Sequence, residues 1–195
     1  MKLSRLEQLV KRLYFCSADV GLLFELAPAS AHLLCSRYTT KNVFIRLKKD
    51  CYTLSQRWNS LLGQDIFRMA NILQVPSYIS LMSALSFFQV TTQMQQNYIE
   101  SVALKRSVTF HIKETDFKFY KIAPAFYRDF VRQDEFFIAT KEKAFLDCAY
   151  LTSFGKYRFD VTSIDIYKLD KKKIKQGLRP YPKKTQILVE RLCKI

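Results

Sequence analysis

At Val43 the chain changes its period. The preceding stretch of about forty residues carries apolar side chains at helical spacing. VFIRLKKDCYTL, Val43 to Leu54, instead reads as two short strands around a charged turn, Lys48-Lys49-Asp50. Upstream, LSRLEQLVKRLYF opens on a capping box in which Ser4 caps and Glu7 reaches back. Leu6, Leu9, Val10 and Leu13 then mark one face. CSADVGLLFEL predicts a second short helix that starts near Ser17 or Asp19 and is ended by Pro28. ASAHLLCSRYTT predicts a third, with Ala31, Leu34, Cys35 and Tyr38 facing a core, and Lys41-Asn42 stopping it because Asn tolerates a left-handed backbone. Three short helices followed by a basic-tipped hairpin are the order of a winged helix-turn-helix. In that motif the third helix enters the major groove and the wing tip touches phosphates. The outward face of the third segment places Ser36, Arg37 and Thr40 on DNA, and Lys41, Lys48 and Lys49 on its backbone.

Charge supports a polyanionic partner. The chain of 195 residues has 32 Lys+Arg against 17 Asp+Glu, a net charge of +15. The excess is uneven. Residues 1–60 hold ten positive and four negative side chains, residues 61–104 one and two, and residues 105–195 twenty-one and eleven. The near-neutral middle reads as buried helices, DIFRMANILQV and, after Pro76, SYISLMSALSFFQV. Beyond it, NYIESVAL, SVTFHIK, FKFYKIA and EFFIAT read as strands, with SIDIYKL as a candidate fifth. PAFYRDF reads as a short helical turn. TKEKAFLDCAYL reads as a helix capped by Thr140, its Lys143 and Asp147 pairing on the surface, and KKKIK and PKKTQILVERLCKI as closing basic helices. The predicted fold is α+β: a winged helix-turn-helix over residues 1–56, a linker over 57–64, and an α/β domain over 65–195. That domain carries a mostly antiparallel sheet of four or five strands packed by helices.

The chemistry this composition withholds is as informative. There are two histidines, His32 and His111, and four glycines, so a histidine metal cluster and a glycine-rich phosphate loop are both excluded. The five cysteines are scattered without a C-x-x-C pair, which fits a reducing compartment rather than a disulfide framework or a zinc site. The N-terminus carries charges through its apolar run and reads as no signal peptide, and no run approaches the length of a membrane span. The expectation is a cytoplasmic protein with no membrane contact, no metal, no cofactor and no catalytic residues. One enzyme-like pattern stands out: Asp116-Phe117-Lys118 at the start of a strand, with Glu100 or Asp134 as a second carboxylate, is how a metal-dependent nuclease could begin. An exposed charged strand edge explains the same residues more simply.

The stretches FIRLKKDCYTL, PSYISLMSALSFFQV, KRSVTFHI with FKFYKI, and IATKEKAFLDCAYL, in this order and spacing, resemble the AbiEi family of antitoxins of bacterial type IV toxin–antitoxin systems. The resemblance runs over roughly residues 1 to 192. It implies a transcriptional autorepressor that binds inverted repeats in its own promoter. It also implies a C-terminal domain that opposes a cognate nucleotidyltransferase-fold toxin of the AbiEii type in phage defence, leaving open whether the two proteins touch. Where the family often has Gly before the wing Tyr, this chain has Asp50-Cys51-Tyr52. A stand-alone DNA-binding regulator is the other reading of the same N-terminal pattern.

Overall fold

The computed structural model describes residues 2–93 and 95–194, with side chains from residue 6 onward. The chain divides into two compact units, Met1–Met69 and Ala70–Ile195. Together they are a mixture of helices and strands in which the larger sheet is open and mixed.

In the first unit, helices α1 (Lys2–Val10), α2 (Ser17–Phe24) and α3 (Pro28–Thr40) precede the antiparallel hairpin β1 (Phe44–Lys48) and β2 (Cys51–Leu54). The expected Ser4 capping box falls on side chains outside the described residues. Pro28 starts α3 rather than closing α2. Its fixed φ suits a first helical turn, and α2 instead stops at Glu25, which takes a left-handed φ of 55°. Asn42, at φ 55°, follows α3 as expected. Leu9, Phe15, Val20, Cys35, Phe44, Tyr52 and Leu54 form the core, with the Phe15 and Phe44 rings edge-to-face at 4.8 Å. Phe15 also exchanges two backbone hydrogen bonds with Tyr52, of 2.9 and 2.8 Å, which pins the segment before α2 to the hairpin.

The hairpin turns without glycine because Asp50 takes the left-handed conformation itself, at φ 49°. Its carboxylate accepts the Ser17 amide at 3.0 Å, satisfying one of the orphan donors at the start of α2. Burial pushes this carboxyl up, but the Ser17 hydrogen bonds outweigh that and hold it below its ordinary range. Asp50→Ala should therefore cost about 1–2 kcal/mol, from a lost cap and a strained φ. Asp50→Gly keeps the backbone and should cost less. Urea midpoints that rank the two variants the other way would show that the turn is not what Asp50 secures.

Residues 57–64, expected as a linker, are largely helical. Helix α4 (Ser55–Asn59) and the start of α5 (Gly63–Leu73) occupy most of that stretch, and Asp65 bonds both Arg57 at 2.8 Å and Arg68 at 3.1 Å. Helix α5 runs across the division between the units.

The second unit holds a six-stranded sheet in the order β5-β6-β4-β3-β8-β7, where four or five mostly antiparallel strands were expected. The strands are β3 (Ser77–Ile79), β4 (Tyr98–Ala103), β5 (Val108–Ile112), β6 (Thr115–Lys121), β7 (Phe130–Gln133) and β8 (Phe136–Ala139). Two neighbouring pairs, β3–β8 and β4–β6, are parallel. The stretch read as one apolar helix after Pro76 is instead β3, a sharp turn and α6 (Leu81–Phe87). Strand β3 is central and buried on both faces, so it shows no alternation in sequence. Strand β7 is a short, mostly exposed edge strand with no buried alternation, and escaped notice for that reason. SIDIYKL forms no strand: Asp160 and Asp165 each accept the amide two residues on and wind the backbone into 3₁₀ turns. Helix α7 (Lys141–Ser153) packs against α6, α8 (Lys171–Leu178) and α9 (Lys183–Cys193), with Thr140 capping it through the Lys143 amide. Among the described residues no single helix is long and apolar enough to cross a membrane.

Candidate functional sites

Every residue expected on DNA lies in the first unit, on two elements. Ala31 and Cys35 point α3 into the core, which leaves Ser36, Arg37 and Thr40 exposed away from it, with Ser36 and Thr40 one turn apart. The Thr40 hydroxyl donates to the Ser36 carbonyl at 3.2 Å, leaving its oxygen able to accept. Lys41 is exposed at the C-cap of α3. Lys48 closes β1 half-buried, and Lys49 stands exposed at the turn. The hairpin tip and α3 are neighbours: the Asp50 carboxylate lies 3.9 Å from the ring of His32, whose other nitrogen is 3.4 Å from the Ser17 hydroxyl. Asp50 thus leans toward Ser17 and His32 while Lys49 stands exposed beside it.

Helix α7 overturns one expectation. Lys143 and Asp147 are no surface pair; their side chains are 1% and 0% exposed. The Lys143 ammonium bonds Asp147 and donates to the Tyr181 hydroxyl at 2.9 Å. Asp147 also accepts from Tyr78 at 3.1 Å and Ser80 at 2.8 Å. Burial pushes the Asp147 carboxyl up, and Lys143, Ser80 and Tyr78 pull against it with smaller effect. This network ties α7 to the central strand and to the segment between α8 and α9. Of this network only Lys143 lines a neighbouring cleft of about 760 Å³, whose walls include Arg128, Lys141 and Lys173. Spacing alone could not show this, because Lys143 and Asp147 do share one face of α7 and the elements that cover it come from elsewhere in the chain.

A second buried carboxylate lies on the other side of the same strand-to-helix turn. Glu100 is 1% exposed, and its Oε2 accepts from the Tyr157 hydroxyl at 2.9 Å and the Met82 amide at 3.2 Å. Desolvation raises this carboxyl from 4.5 to about 7, against the hydrogen bonds from Tyr157, Gln95 and Met82. Leu81, between Ser80 and Met82, takes φ 57°. That conformation is costly for a bulky residue, and it sends the Ser80 hydroxyl to Asp147 and the Met82 amide to Glu100.

The nuclease-like residues are dispersed. Asp116 is held by His111 Nδ1 at 2.6 Å. Glu100 lies opposite Lys118 in the β4–β6 register but is bonded to Tyr157 and Met82. Asp134 is on the β7–β8 turn, at the far edge of the sheet from β6. Among the described residues no group of three or more His, Cys, Asp or Glu is placed to hold a metal ion. No family model, curated protein or solved structure matches the chain.

Proposed function

We propose that this protein is a DNA-binding transcriptional autorepressor whose first unit works as a winged helix-turn-helix. In this reading, Ser36, Arg37 and Thr40 of α3 read the major groove of promoter repeats, and Lys41, Lys48 and Lys49 neutralise phosphates. The observation that carries it is the pairing of an outward polar face on α3 with a basic hairpin tip folded against the same helix through Asp50. The strong net positive charge supports it. From the resemblance to AbiEi antitoxins comes the second half of the proposal. The α/β unit counteracts a nucleotidyltransferase-fold toxin encoded beside it, and the protein acts without catalysis of its own.

The test is a salt titration of binding to the upstream region. Replacing both Lys48 and Lys49 with Ala should weaken binding and flatten its salt dependence by about one unit of slope per lost phosphate contact. The same full-length variant should lose repression of a promoter reporter while still rescuing cells that express the neighbouring toxin. Affinity unchanged at every salt concentration would end the assignment of the hairpin as a wing. Rescue lost together with repression would end the division of labour between the units.

A further inference from the structure

The cleft above Glu100 is not used by the DNA-binding reading and stands apart from it. It encloses about 440 Å³, within the range of small-ligand sites. Its described lining is almost wholly polar or aromatic. Glu100 forms the floor, Tyr98 and Tyr120 come from adjacent parallel strands, and the loop Lys156-Tyr157-Arg158-Phe159 closes one side. That loop alternates: Tyr157 is buried and Phe159 half-buried, while Lys156 and Arg158 are exposed. The Tyr120 and Tyr157 rings meet edge-to-face at 5.3 Å, and Tyr157 stacks with Phe159 at 6.1 Å. Tyr98 and Tyr120 hydrogen-bond to each other, so these rings are held in place.

Two features specify what such a cleft accepts. The first is an acceptor at its floor. A carboxylate offers about four lone-pair positions, and Tyr157, Met82 and Gln95 supply three donors to Glu100. Glu100 lines the cleft and keeps acceptor capacity beyond these three donors, which suits an N–H donor. The second is cationic charge at the mouth, from Lys156 and Arg158. Asp160, a second carboxylate of the lining, accepts from the amide and hydroxyl of Thr162 at 2.9 and 2.6 Å and from the Gln93 side-chain amide at 3.5 Å. Lys156 and Arg158 make no ion pair among the described residues. A ligand with a flat aromatic group, an N–H donor edge and an anionic tail meets all of these demands at once.

We propose that this cleft binds a nucleotide, with a base carrying an exocyclic amine set against Tyr98, Tyr120 and Glu100 and its phosphate on Lys156 and Arg158. Bases stack on aromatic side chains, and guanidinium and ammonium groups are the usual partners of phosphate. The same chemistry could be presented by a free mononucleotide or by the end of a single strand, and the test separates them.

Calorimetric titrations of the full chain should use AMP, CMP, GMP, UMP, inorganic phosphate and a 5′-phosphorylated trinucleotide, which is too short to engage a helix in a groove. The amino-bearing mononucleotides should bind and UMP and phosphate should bind much less. Lys156→Ala and Arg158→Ala, both at exposed positions, should each weaken binding about tenfold or more, a charge-assisted hydrogen bond being worth roughly a decade. Glu100→Gln should reduce the preference over UMP while leaving phosphate contact intact. If only the trinucleotide binds, and Lys156→Ala and Arg158→Ala abolish it, the site takes strand ends. If no nucleotide binds, if phosphate alone does as well, or if the two cationic variants bind as the parent does, the proposal is overturned. None of these results depends on the hairpin or α3, so this site and the DNA-binding surface can fail separately.

Discussion

Asp147→Ala should destabilise the second unit by about 3–5 kcal/mol. The reason is the group left behind. Lys143 is 1% exposed, and its ammonium has Asp147 as its ion partner. Removing the carboxylate strands a positive charge in the core, with the Tyr181 hydroxyl and the faces of the Tyr78 and Tyr181 rings as its remaining contacts. A buried pair broken on one side costs several kcal/mol, whereas the same pair replaced on both sides by apolar residues of similar volume is often neutral or stabilising. The double variant Lys143→Met with Asp147→Leu should therefore recover much of what the single variant loses. Chemical denaturation of both proteins measures this directly. A loss below about 1 kcal/mol for Asp147→Ala, with an unchanged denaturant slope, would mean that Lys143 reaches water after all.

That expectation reverses the one drawn from spacing alone, and the reversal shows where sequence reasoning ends. A Lys and an Asp four apart on a helix look like a solvated pair, because periodicity says which residues share a face and says nothing of what covers that face. Here α6, α8, α9 and the sheet surround α7, and even its charged face is covered. The hairpin was legible because alternation and turn chemistry are local, and Asp50 could supply the left-handed residue that Gly supplies elsewhere. Strands β3 and β7 were not. One is too short and too uniformly buried to alternate, and the other is a short, mostly exposed edge that shows no buried face. The residues proposed for DNA are contiguous in two local elements, so they could be named in advance. The cleft at Glu100 draws on α6, two strands and a loop from distant parts of the chain, and no spacing rule assembles those.

Glu100→Gln should stabilise the protein at high pH and leave it nearly unchanged at low pH. The folded protein holds this carboxyl at about 7, above its ordinary 4.5, because the ionised form is desolvated. A group whose folded pKa is raised keeps its proton longer in the native state than in the unfolded chain. The native state therefore carries no penalty below about 4.5, loses stability as the pH climbs toward 7, and carries the full penalty above it. A shift of that size amounts to roughly 3 kcal/mol. Glutamine removes the charge and can keep the oxygen that receives Tyr157 and Met82, since those two bonds fall on Oε2 alone; the third donor, Gln95, can turn its side-chain amide to accept instead. Melting curves of the two proteins should coincide near pH 4 and separate progressively, with the variant higher by about 3 kcal/mol at pH 8. A variant less stable than the parent at pH 8 would show that the ionised carboxylate is held by more than its hydrogen bonds compensate, and that Glu100 serves the fold. A more stable variant that also loses nucleotide discrimination would identify Glu100 as a carboxylate kept at the expense of stability for what it binds.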